Sequence, residues 1–81
     1  MDRKTVFNVV CGAIAEIFGV SENEITEDMY FEDDLAADMY DMMELAMIAE
    51  EELDLEELTE DEIIGVDTVG EAVELIMGKL G

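Results

Sequence analysis

The spacing of apolar residues predicts an all-α fold: a small antiparallel bundle of four helices, three long and one short, in a single domain spanning residues 1–81. Three observations carry this expectation. Apolar residues recur at i, i+3 and i+4 in three separate segments. At Ser21, Asp38, Thr59 and Thr68 an acid follows three residues on, the pattern of a capped helix N-terminus. No segment alternates as a strand would, and the chain has no proline to break a helix. A chain of 81 residues can bury one modest core, too little to build an elaborate active site.

In the first helix Val6, Val10, Ala13, Ile14 and Ile17 share a face. Phe7, Val9 and Phe18 widen it to roughly half the wheel, beyond the usual stripe of about 100°. Burial on several sides accounts for this more simply than a subunit surface, and both a monomer and a weak dimer fit. Gly19 ends the helix, and Ser21-Glu22-Asn23-Glu24 has the spacing of a capping box for one isolated turn. From Ile25 to Ala37 the spacing is irregular, which predicts a long acidic loop pinned to the core by Ile25, Tyr30, Phe31 and Leu35.

Asp38 is an N-cap, with Asp41 as a short-armed capping-box partner and Glu44 in the next turn, so the second helix is expected over Met39–Leu53. Leu45, Ala49 and Leu53, with Met42 beside them, form its core stripe. Tyr40, Met43 and Met47 form a neighbouring face flanked by acids. Thr59 and Glu62 open a stub over Glu60–Ile64 that Gly65 ends. Thr68 and Glu71 open the last helix, whose apolar face is Val69, Ala72, Val73, Ile76 and Met77, and Gly70 weakens it. The tripeptide Asp-Met-Tyr at Asp28 and Asp38 is a chance recurrence in an acidic, Met-rich chain.

The net charge of −21 arises from 24 carboxylates against Arg3, Lys4 and Lys79. About half of the residues are apolar, so disorder does not follow from the charge. Such a field repels nucleic acid and anionic membranes and favours basic protein surfaces or cations. Cys11 is the sole cysteine, reads as a small core hydrophobe, and suits a reducing, cytoplasmic compartment. Arg3-Lys4, an apolar run and Ala13-Ile14-Ala15 outline a secretory signal. The run is short and broken by Asn8 and Gly12, however, and cleavage would delete a core helix. It is also shorter than the roughly 20 residues of a membrane span.

Catalysis is not expected. There is no histidine, Cys11 has no evident catalytic partner, no Gly-rich phosphate loop is present, and acid pairs such as Asp33 and Asp34 are commonplace in so acidic a chain. Asp33 to Glu44 has the length of a calcium loop, but Leu35 and Ala37 stand where oxygen ligands belong and the turn glycine is missing. No specific metal site is expected. Weak divalent association that relieves self-repulsion, with a melting temperature that rises in magnesium or calcium, is.

The stretch Phe31 to Asp41, FEDDLAADMYD, resembles the centre of the acyl carrier protein family, in which F-x-E-D-L-G-A-D leads into D-S-L-D and an acidic helix. Phe18-Gly19-Val20 and Asp67-Thr68-Val69-Gly70 extend the resemblance over most of the chain. It implies a four-helix bundle that docks on basic surfaces of acyl-transferring enzymes of the fatty-acid or polyketide type. The docking residues it implies are Asp38, Tyr40, Asp41, Met43, Glu44, Met47, Glu50 and Glu51.

The family cofactor is 4'-phosphopantetheine, carried on the serine that opens the helix. Met39 stands at that position and is expected to be unmodified, so no cofactor is predicted on this sequence. Ser21 is the only serine and lies far from it in sequence, while the Tyr40 phenol is the wrong length and one position late. Ala36 replaces the family's Gly and Tyr40 its Leu, so departures surround the missing serine, which points to a natural loss. Three readings are open: an arm-less docking module, an acyl carrier protein in variant form serving fatty acid biosynthesis, and an acidic cation-binding protein.

Overall fold

The computed structural model describes residues 1–81. It contains helices α1 (Arg3–Phe18), α2 (Phe31–Leu35), α3 (Met39–Leu53), α4 (Glu60–Ile64) and α5 (Val69–Leu80), with a single 3-10 turn at Glu22–Glu24. The second, stub and final helices thus fall where the periodicity and caps put them. Their caps are made as expected: Asp38 with Asp41, Thr59 with Glu62 and Thr68 with Glu71 each form a reciprocal capping box. Each such cap is worth about 1 kcal/mol, because it satisfies backbone N–H groups that the helix leaves unpaired.

Two local expectations are corrected. Ser21 Oγ accepts from the Asn23 N–H at 3.4 Å, so the turn closes one residue earlier than a capping box would require. The segment Ile25–Ala37 is not loop throughout, because α2 forms inside it. Its N-cap, Tyr30, contributes no side-chain bond; instead the Asp34 carboxylate reaches back to accept from the Tyr30 N–H at 2.7 Å. Five residues are too few to show a period, so pattern reading missed them.

Helix α1 packs on both α3 and α5, which explains its wide apolar face. Val6, Val10, Cys11, Ala13 and Ile14 are buried, and Phe7, Val9, Ile17 and Phe18 pack around them. Leu45, Ala49 and Leu53 of α3 and Val69, Ala72, Val73 and Ile76 of α5 complete one core, joined by Ile25 and Phe31 from the long connection. A smaller cluster of Ala46, Leu58 and Ile63 lies under α4.

The long connection is tied to the start of α5 by backbone bonds: Phe31 N–H to Asp67 O, Val69 N–H to Met29 O, and Gly70 N–H to Glu27 O at 2.8 Å. This explains Gly70, since a Cβ there would lie 3.1 Å from the Glu27 carbonyl oxygen. Arg3 fixes the same corner by donating to the carboxylates of Glu27 and Glu74. Burial, with Glu22 and Glu27 nearby, pushes the Cys11 thiol up to about 11, consistent with a core role.

Candidate functional site

The site is built at the start of α3. Asp38 Oδ1 accepts from the Asp41 N–H at 2.9 Å and Asp41 Oδ2 accepts from the Asp38 N–H at 3.2 Å, so both acids fix the helix origin. Met39 is the first helical residue. The 100° step per residue then sends Leu45 and Ala49 inward and leaves Tyr40 80%, Met43 45% and Met47 60% exposed. Glu44 and Glu51 are exposed acids of the same helix. The predicted apolar and acidic residues are therefore presented together along α3.

Glu50 differs from the rest. It is half-buried, and its Oε2 accepts from the Leu58 N–H at 2.8 Å, which holds the chain between α3 and α4.

Beside the helix origin lies a groove of about 460 Å³. Phe31, Met39, Met42, Ile63, Ile64 and Val66 line it, and Glu32, Asp33, Asp38 and Asp67 stand on it as acids. Tyr30 and Ile64, 49% and 59% exposed, add apolar surface to the lining of this groove. Ile64 escaped sequence reading because it sits in a five-residue helix where no period marks a face, and Tyr30, expected to pin the connection to the core, is instead half-exposed. Between α1, α3, α4 and α5 is a smaller apolar pocket of about 30 Å³, itself partly open to the surface and lined only by apolar side chains, including Val10, Ala46, Leu58 and Leu75. It has the size of a single water but offers no polar partner to hold one.

No group of three or more carboxylates or thiolates is arranged to hold a metal ion. No helix is long and apolar enough to cross a membrane.

The family model described as the phosphopantetheine attachment site matches residues 8–76, nearly the whole bundle and the origin of α3 with it. The chain belongs to that family. Among solved structures, the acyl carrier protein from Enterococcus faecalis is similar, with a TM-score of 0.78 and 29% sequence identity over 98% of this chain and 99% of that one. No curated protein matches the sequence. The chain therefore has the acyl carrier fold, a helical bundle without a sheet, and as a member of a carrier family it is not an enzyme.

Proposed function

We propose that this member of the acyl carrier family is an acidic docking module that engages basic surfaces of fatty-acid or polyketide-type enzymes without carrying a phosphopantetheine arm. The observation that carries the proposal is the side chain at the origin of α3. Attachment of the arm is a phosphodiester linkage and needs a hydroxyl there, whereas Met39 offers a thioether. Ser21 does not substitute, because it caps the 3-10 turn after α1. The residues present do not fit the group.

The docking half of the proposal is supported by what α3 keeps. Tyr40, Met43 and Met47 form an exposed apolar strip, with Asp38, Asp41, Glu44 and Glu51 as acids of the same helix. None of these acids is paired with a cation, since Arg3 serves Glu27 and Glu74 and Lys79 serves Glu62. They are available to a basic partner, which would be steered by the net charge of −21 and lost as salt rises. The same charge supports weak association with divalent cations, and a cytoplasmic setting suits both the buried free thiol and the partners proposed.

The family match favours the competing reading, a working carrier in variant form, and one experiment separates them. The protein and Met39→Ser are incubated with coenzyme A and a promiscuous phosphopantetheinyl transferase, and their intact masses are compared. The expected result is added mass on the Ser variant alone. Added mass on the unaltered protein would overturn the proposal. The docking surface is read with Glu44→Lys and Glu51→Lys, which leave the Asp38–Asp41 capping box intact; binding to a fatty-acid synthase enzyme unchanged by both would refute that half.

A further inference from the structure

Helix α4 has little to hold it. It is five residues long with one buried side chain, Ile63, and a helix of that length has no stability of its own. Its local attachments are the Thr59–Glu62 capping box and the ion pair of Glu62 with Lys79, whose Nζ lies 2.7 Å from Oε2. The ion pair is largely covered and ties α4 to α5, but neither attachment can seal the apolar underside of α4.

Met39 can. Although it is the first residue of α3, it is half-buried, and its side chain packs with Met42 and Leu75 against the cluster of Ala46, Leu58 and Ile63. An unbranched, polarisable thioether suits an irregular seam of this kind. The groove and the smaller apolar pocket meet at this seam, since Met42, Ile63 and Val66 line both. Met39 lines the groove and not the smaller pocket.

We propose that Met39 is a latch, which fastens α4 to the origin of α3 and keeps the smaller apolar pocket apart from the groove. The position from which the family extends its arm has here become part of the wall. A serine at 39 could not reach the Ile63 cluster, so α4 would lift more often and groove and pocket would join. The latch rests on packing alone and is independent of whether α3 docks on a partner.

Native-state hydrogen exchange on the protein, Met39→Ser and Met39→Leu tests it, together with binding of the neutral dye N-phenyl-1-naphthylamine, which the acidic surface does not repel. The Ser variant is expected to exchange the Ile63 and Ile64 amides about tenfold faster, the factor that corresponds to ~1.4 kcal/mol of lost contact, with α1 and α5 little changed. It is also expected to bind the dye more tightly than the unaltered protein. Leu, close to Met in volume, restores slow exchange and weak dye binding. Unchanged α4 exchange in the Ser variant would overturn the latch. So would equal acceleration in every helix, which would make Met39 an ordinary contributor to global stability. Dye binding equal in all three proteins would overturn the separation of pocket and groove.

Discussion

Ala36 occupies a left-handed conformation, with φ 54° and ψ 35°, where it ends α2. Its N–H donates to the Glu32 carbonyl at 3.0 Å and the following N–H of Ala37 to the Phe31 carbonyl at 2.9 Å, so the conformation is imposed by the turn into Asp38. For an L-residue that geometry brings Cβ against the next carbonyl oxygen and costs about 1–2 kcal/mol. Glycine escapes the clash but gains freedom in the unfolded chain, which returns about 0.4–1 kcal/mol of the benefit. Ala36 is exposed, so its methyl takes little packing with it. Ala36→Gly is accordingly expected to stabilise the fold by about 0.7 kcal/mol, a rise of roughly 3–5 °C in melting temperature for a domain of this size. The assay is thermal and urea unfolding of the protein, Ala36→Gly and Ala36→Val. The β-branched valine should lower the midpoint, because its side chain fits a positive φ worst. A glycine variant that melts at or below the unaltered protein would refute the strain reasoning.

Two further outcomes are expected elsewhere in the fold. Gly70→Ala should destabilise by about 1 kcal/mol, seen as a lower urea midpoint, because the new Cβ would press on the Glu27 carbonyl oxygen at 3.1 Å and its carboxylate at 3.2 Å, a cost of about 1–3 kcal/mol that outweighs the ~1 kcal/mol by which alanine favours the helix. For Glu62, the hydrogen bond from Lys79, and after it that from the Thr59 N–H, hold the carboxyl below its ordinary value. A lowered folded-state value means stabilisation that is present above the ordinary carboxylate range and lost as pH falls through the lowered value. Glu62→Gln should therefore melt below the unaltered protein at pH 7, and the gap should close as the pH falls below the ordinary carboxylate range. A gap that stays constant with pH would assign the loss to the capping geometry alone.

Apart from α2, the helices and their ends were legible in the sequence, because what forms them is local. Asp38, Thr59 and Thr68 each meet a partner three residues on, and Leu45, Ala49 and Leu53 recur at the helical interval, so neighbours along the chain carry the information. The apolar strip of Tyr40, Met43 and Met47 was readable for the same reason. The resemblance pointed to the carrier family, and the family match bears that out.

What only the tertiary structure decided depends on residues distant in sequence. The acids along α3 look alike in one dimension, yet Glu50 is turned to the Leu58 N–H, eight residues away. Gly70 looked like a defect in a helix until the Glu27 carbonyl was found against it, and Arg3 is fixed by partners 24 and 71 residues distant. Helix α2 exists because Phe31 is buried and tied to Asp67, and the groove beside Met39 exists because Ile63, Ile64 and Val66, in and just after α4, fold back against the origin of α3. Hydrogen bonding and periodicity within a helix act over three or four residues, and the sequence shows them directly. The packing of one element on another joins side chains whose separation along the chain is arbitrary, and only the folded chain brings Met39 to α4.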